Sequence, residues 1–266
     1  MADRRKHLKI DREHPLAGKP HKVLGKALHG LFRTLDRPVL VAVGGPGGIG
    51  KTHFAHDLAH ELRCAVVMGL DDYKTPREAR YSRGIYGAHP EANELDMLRE
   101  HLLQLRGGLP IEKPLYCREH GRIRSTEIFA PDRFVIVEGE VATYSELTDV
   151  IDFSIFIDSH WKTQLNTRLV RDIEERGYEV KKAIATFLYS NLHEFPKYGA
   201  GSKNWCDVHI HCNGDYSLVI DAVCSTRIDH LSDFIVTGEQ PPSENPAGNT
   251  YKEAEHEESK EDFRLL

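Results

Sequence analysis

Gly44-Gly45-Pro46-Gly47-Gly48-Ile49-Gly50-Lys51-Thr52 carries more information than any other stretch of this 266-residue chain. Before it runs Pro38-Val39-Leu40-Val41-Ala42-Val43, a short apolar run of the kind that forms a buried parallel strand. After it runs His53 to Leu62, in which Phe54, Ala55, Leu58, Ala59 and Leu62 fall on one helical face. Strand, glycine-rich turn and helix follow in that order, and Gly45, Pro46, Gly47, Gly48, Ile49, Gly50, Lys51 and Thr52 fill every position of G-x-x-x-x-G-K-[ST]. The glycines let several backbone N–H groups point into one hollow, and the helix N-terminus adds its positive end. This is a nucleoside triphosphate site, with Lys51 expected to stand exposed and reach the outer phosphates. Thr52 is expected to offer its hydroxyl to Mg²⁺.

Composition is that of a globular protein: 40% hydrophobic and 29% charged residues, net charge −6. No 18-residue apolar run occurs, and the basic start is not followed by the apolar segment of a signal peptide, so a cytoplasmic location is expected. Cys64, Cys117, Cys206, Cys212 and Cys224 are odd in number and form no C-x-x-C pair, so neither disulfides nor a zinc site is expected. His53, His56 and His60 share a helical face, which reads as solvated rather than metal-binding.

Charge divides the chain. Residues 1–37 hold ten Lys and Arg against four acidic residues, whereas 238–266 hold eight acidic against three basic. The first segment reads as a basic extension with an amphipathic helix from Lys22 to Leu35, packed rather than bound to nucleic acid, since no aromatics alternate with its cations. The last reads as a disordered acidic tail, too polar to bury anything. Between them, residues 38–237 alternate strand and helix: strands at Cys64–Met68, Phe134–Val137, Phe153–Ile157 and Val208–Ile210, helices at Glu94–Gln104 and Trp161–Glu175. That order predicts an α/β three-layer P-loop NTPase fold, a mostly parallel sheet flanked by helices.

Ligands of such sheets gather at the carboxyl ends of the strands. There stand Asp71-Asp72 after the second strand and Glu138-Gly139-Glu140 after the third. Phosphoryl transfer needs one carboxylate to orient or deprotonate an acceptor hydroxyl and another to hold Mg²⁺, and Asp71 and Glu138 are placed for those roles.

Several motifs over residues 39–220 resemble, in order, the uridine kinase and phosphoribulokinase group of P-loop kinases: the Walker loop, Asp71-Asp72-Tyr73-Lys74, His89-Pro90, Pro114-Leu115-Tyr116, Val137-Glu138-Gly139, Arg168 to Gly177 and Cys206-Asp207-Val208-His209-Ile210. The resemblance implies ATP and Mg²⁺. It makes Asp71 the base on the acceptor, Thr52 and Glu138 the magnesium residues, and Arg168, Arg171 and Arg176 the cations of a helical lid. Tyr73, His89, Tyr116, His120, Arg122 and Glu140 join Asp71 as expected acceptor contacts.

The acceptor motifs depart from the family's pattern. Gly87-Ala88 stand before His89 where uridine kinases usually carry an aromatic residue and the aspartate that meets the ribose, and Cys117 replaces the usual aspartate after Tyr116. Arg118 to Arg124 read as a loop dense in cations, suited to a phosphate or carboxylate. A nucleoside or sugar-type acceptor and an anionic one, such as a sugar phosphate or hydroxy acid, both stay open, with a regulatory NTPase as the third reading. The expected partner is a small-molecule acceptor, with no nucleic acid and no membrane, and homo-oligomer formation is left open.

Overall fold

The computed structural model describes residues 7–9 and 18–224. The acidic segment from residue 238 onward lies outside the described residues. In chain order the elements are β1 (His7–Lys9), α1 (Pro20–Leu31), β2 (Val39–Gly44), α2 (Lys51–Leu62), β3 (Ala65–Gly69), α3 (Arg77–Ser82), α4 (Leu95–Arg106), β4 (Ile111–Cys117), β5 (Arg122–Phe129), β6 (Phe134–Glu138), β7 (Phe153–Ser159), α5 (Trp161–Val170), α6 (Val180–Phe187), α7 (Phe195–Tyr198), β8 (Val208–Cys212) and β9 (Leu218–Cys224). No helix among the described residues is long and apolar enough to cross a membrane.

A seven-stranded sheet runs in the order β1-β9-β8-β7-β2-β6-β3. Pairing is parallel from β3 through β8, and β9 and β1 add antiparallel strands at one edge. Every residue of β2 is buried, because helices cover both faces of the sheet. Val39, Val41 and Val43 pack with Phe54 and Leu58 of α2 and Leu24 and Leu28 of α1. Leu40 and Ala42 pack on the other face with Leu98, Leu102 and Leu105 of α4. A strand buried on both faces needs apolar residues at every position, which Val39 to Val43 supply. Pro20 opens α1 at the helix start, where its missing N–H costs nothing, and the helix ends at Leu31, four residues before the expected limit.

Because β2 lies between β6 and β7, the chain leaves it toward β3 and returns on the other side, opening a crevice above its carboxyl end. Two segments differ from their sequence reading. Residues 118–124, read as a loop, belong to a hairpin in which β4 pairs antiparallel with β5. Its second strand is mostly exposed, so no alternating apolar face marked it. The helix expected over Trp161–Glu175 keeps α-helical bonding only to Val170, and Arg171–Glu175 continue with wider, π-type bonding.

One buried carboxylate fastens the base of the sheet. Asp152 accepts a two-pronged hydrogen bond from Arg37 at 2.8 Å on each oxygen, a third from Arg106 at 2.9 Å and a fourth from Leu40 N at 3.0 Å. It thereby links the segment before β2, the end of α4 and the segment before β7. Burial alone would raise its pKa, but Arg37, the Leu40 N–H and Arg106 together hold it below the usual carboxylate range. A depressed folded-state pKa contributes stability that is complete above the unfolded value, about 4, and is lost as pH falls through the folded value. Asp152→Asn is therefore expected to cost about 2 kcal/mol at neutral pH and to differ progressively less from the parent below about pH 4. Thermal unfolding of both proteins as a function of pH checks this.

Candidate active site

The crevice is a cavity of 750 Å³ bounded by the Walker loop, the ends of β3 and β6, the β4–β5 hairpin and the segment after β7. On the loop, Gly50 has φ +81°, a left-handed conformation that L side chains rarely adopt, and it delivers the chain into α2. Lys51 is the first residue of α2 but does not stand free as expected: it is 8% exposed, and its Nζ donates to Pro46 O at 2.7 Å. Burial lowers its pKa, an effect opposed by the neighbouring carboxylates of Glu140, Glu138 and Asp71. Gly47, Gly48, Ile49, Gly50 and Thr52 line the cavity, whereas Gly45 and Pro46 do not.

Thr52 Oγ1 donates to Glu138 Oε1 at 3.0 Å, joining the helix start to the end of β6. Burial raises the Glu138 pKa, Lys51 opposes the rise, and the charge on Asp71 adds to it. Asp71 lies in the turn after β3. Desolvation by the surrounding protein would raise its pKa, but Lys74, Arg118, Arg176 and Lys51 together outweigh that effect and lower it. Its carboxylate is nonetheless open to the cavity, 63% exposed, and lies 3.6 Å from Arg118. Asp72 turns the other way: it accepts from Lys113 at 2.6 Å and from Tyr116 N at 3.0 Å, fastening the hairpin to the Asp71 turn.

The three arginines assigned to a lid come together around one carboxylate. Asp172, wholly buried, takes Arg168 Nε at 3.4 Å, Arg171 Nε at 3.2 Å and Arg176 Nη1 at 2.8 Å. The π-type stretch turns Asp172 inward among them, while all four residues line the cavity. Asn191, also buried, donates to Gly47 O at 2.8 Å and to Gln164 Oε1 at 2.9 Å, and accepts from Arg168. It ties this segment to the Walker loop.

Glu140 stands between the two halves of the site. Its Oε1 lies 3.8 Å from Arg168 Nη1. A Cβ at Gly47 would lie 2.7 Å from Oε1, and one at Gly87 would lie 2.7 Å from Oε2. Both glycines thus leave room for this carboxylate. Gly87 O accepts from Lys74 at 2.9 Å and from Asn93 at 3.1 Å, and Tyr144 OH donates to Ala88 O at 2.6 Å, which fixes the segment against the cavity wall.

Of the expected acceptor contacts, Tyr116 and Glu140 line the cavity along with Asp71, whereas Tyr73, His89, His120 and Arg122 do not. Tyr73 is fully buried, with its hydroxyl 2.8 Å from His101 Nδ1, because its position in the turn points it into the apolar cluster beneath β3 and β6. His89 accepts from Glu91 N at 3.2 Å and packs on Tyr198, so it shapes a turn. Arg122 and His120 sit at the outer end of the hairpin. The cations that do border the acceptor side are Arg118, Arg77 and Arg80, the last donating to Tyr116 OH at 2.7 Å. Arg77 and Arg80 come from α3, a six-residue helix with no buried residue, and so with no apolar stripe to mark it in the sequence. Lys74 belonged to the quoted Asp-Asp-Tyr-Lys motif. Asn191 carried no signal, since only the folding of the 188–194 segment onto the loop gives it meaning.

Residues 40–217 match the Phosphoribulokinase / Uridine kinase family. The chain is 32% identical over 181 residues to a phosphoribulokinase from Synechocystis, a match that covers 66% of this chain but only 54% of that protein. It is 31% identical over 196 residues to a uridine kinase from Yersinia enterocolitica, covering 69% of this chain and 91% of that one. Among solved structures, a D-glycerate 3-kinase from Cryptococcus neoformans superposes with a TM-score of 0.57 at 15% identity, over 76% of this chain and 96% of that one, a likeness of fold. A P-loop fold with this cavity at the end of β2 and this extent of sequence match define the class: the chain belongs to the phosphoribulokinase / uridine kinase family.

Asp172 is the counter-ion of three guanidinium groups, so removing it leaves like charges facing one another. Asp172→Ala is expected to cost about 3 kcal/mol or more, a fall in Tm of roughly 6–12 °C for a domain of this size. Tripolyphosphate, which supplies negative charge in the cavity, should raise the variant's Tm more than the parent's. Thermal unfolding with and without it is the measurement.

Proposed function

We propose that the protein is an ATP-dependent kinase that transfers the γ-phosphoryl group to a hydroxyl of a small nucleoside- or sugar-type acceptor. The observation that carries this reading is Asp71, an ionised carboxylate open to the same cavity as the Walker loop. A regulatory NTPase needs a water-positioning group and loops that report the γ-phosphate, but not a carboxylate with a separate acceptor wall beyond it.

In this reading the Walker-loop N–H groups receive the β- and γ-phosphates, and Lys51 exchanges Pro46 O for a phosphate oxygen. A nearby hollow of 410 Å³ shares Gly48, Ile49, Gly50, His53, Thr167 and Tyr216 with the main cavity, and is assigned to the nucleoside end of ATP. Thr52 and Glu138 form a hard-oxygen donor pair that suits Mg²⁺. The ion, when bound there, neutralises charge on the phosphate oxygens. The acceptor hydroxyl donates to Asp71, which orients its lone pair toward the γ-phosphorus and takes the proton as the new P–O bond forms and the bond from that phosphorus to the β,γ-bridging oxygen breaks, so that ADP leaves. Arg168, Arg171 and Arg176 shift part of their hydrogen bonding from Asp172 to the equatorial oxygens as negative charge spreads over them.

Glu140 offers a carboxylate beside Gly87, on the wall where the family's ribose-binding aspartate is missing, and is assigned to a second acceptor hydroxyl. An anionic acceptor is the second reading, favoured by Arg77, Arg80 and Arg118 on that side of the cavity.

Asp71→Asn is expected to slow phosphoryl transfer about 10²–10⁴-fold with ATP affinity nearly unchanged, and Lys51→Ala to abolish transfer while the fold persists. Calorimetric ATP titration beside steady-state turnover separates these effects, and ATP binding lost in Asp71→Asn would make Asp71 a metal residue instead of a base.

The acceptor is found with a panel of nucleosides, pentose phosphates and hydroxy acids, whose stimulation of ATP turnover also distinguishes a kinase from an NTPase. Arg118→Ala should lower kcat/KM for an anionic acceptor roughly tenfold or more, since charge-assisted contacts are worth about 1.5–3 kcal/mol, and spare a neutral one.

A further inference from the structure

The outer turn of the β4–β5 hairpin gathers three metal-ligating side chains that the kinase reading does not use. Cys117, Glu119 and His120 place one sulfur, one carboxylate oxygen and one imidazole nitrogen within 4.8 Å of each other. Cys117 Sγ and His120 Nδ1 are 3.0 Å apart. From these positions we infer that the turn is a binding site for a borderline-soft divalent cation of the zinc class, held by Cys117, His120 and Glu119 with a fourth position open to water.

Local geometry prepares the turn for this. Cys117 is the last residue of β4 and pairs with Arg122, the first of β5, so the ladder fixes both ends. Gly121 N donates to Cys117 O at 2.7 Å, closing a five-residue turn, and Gly121 itself has φ +67°, which an L side chain would resist. From outside, Arg77 N donates to Gly121 O at 2.7 Å, and the Arg77 guanidinium donates to Arg118 O. A closed turn fixed at its ends and along its back brings positions one, three and four to the same side. Little backbone freedom remains to be lost when an ion arrives.

Donor type selects the ion. Thiolate, imidazole and carboxylate together suit tetrahedral Zn²⁺, with arms of about 2.3 Å to sulfur and about 2.0–2.1 Å to nitrogen and oxygen, which separate sulfur from nitrogen by about 3.5 Å. The Cys117–His120 pair thus needs to open by only about half an ångström. Mg²⁺ prefers oxygen ligands in octahedral geometry, so this turn does not compete for the ion assigned to Thr52 and Glu138. The paired cysteines sought in the sequence are not needed: one cysteine, one histidine and one glutamate brought together by a turn supply the ligands.

The site adjoins the cavity through Arg118, which lies between two of the ligands and reaches Asp71 at 3.6 Å. Loading the turn would immobilise the side chains of Cys117 and Glu119 on either side of this guanidinium. That consequence rests on the kinase reading; the metal site does not.

The test uses the full-length protein, stripped of metal and kept reduced without thiols, and titrated with Co²⁺. A thiolate-to-cobalt charge-transfer band that saturates at one equivalent, is erased by Zn²⁺ and is untouched by excess Mg²⁺ is the expected result. Cys117→Ser should abolish the band and Cys64→Ser should keep it, while His120→Ala should weaken Zn²⁺ binding at least tenfold, with circular dichroism confirming that each variant is folded. Absence of the band in the parent protein at saturating Co²⁺, or its survival in Cys117→Ser, overturns the proposal and would assign any bound metal to other residues.

Discussion

One desolvated ammonium ties the ends of the central strands together. Lys51 rises from the loop after β2 and is held by Pro46 O, with Glu138 and Glu140 at the end of β6 and Asp71 beyond β3 as its nearest carboxylates. Negative charges gathered in one site repel unless cations stand among them; Lys51 faces all three, and Lys74, Arg118 and Arg176 add to its effect at Asp71. The parallel register of β2, β6 and β3 sets these distances, since Val43 pairs with Glu138 and Gly69 pairs with Glu138 from the other side. Electrostatics and sheet topology are therefore one constraint. A shift of one residue in either pairing would turn Glu138 to the opposite face of the sheet.

The same economy governs the rim. Asp172 holds three arginines, and Asp72 holds the hairpin through Lys113 and the Tyr116 N–H. Carboxylates engaged by cations, Asp172 in the cavity wall and Asp72 outside it, thus position the groups that reach into the cavity. Charged groups on both sides of the cleft make it strongly polar, and its geometry depends on these ion pairs as well as on apolar packing. Beneath it lies an apolar base in which β2 is buried on both faces. The firm part of the molecule is the sheet, and the groups with a partner to exchange, Lys51 and the arginines around Asp172, are on its loops and on the helical segment after β7.

The sequence by itself determined the Walker-loop half of the site. The Walker motif is local: eight consecutive residues whose conformation follows from glycine and from the start of a helix, so their reading needs no distant contact. Short apolar runs also announce themselves, which is why β2, β3, β6, β7 and β8 were all legible to within a residue or two. The motif order further established the family, with Asp71 and Glu138 at strand ends and the arginines grouped on one helical segment.

Only the tertiary structure decided the acceptor half. Arg77 and Arg80 reach the cavity from a helix without an apolar stripe, Asn191 ties a segment distant in sequence to the Walker loop, and Glu140 finds its place because two glycines, at 47 and 87, leave room for it. Conversely Tyr73, His89, His120 and Arg122 sat in or beside suggestive motifs but point elsewhere, into the core, along a turn or out at the hairpin's end. The physical reason is the same in each case. Which way a side chain points in a short turn or an exposed strand depends on how the turn itself folds and on partners distant in sequence, such as His101 for Tyr73 and Tyr198 for His89, and a pattern of neighbours along the chain does not contain them.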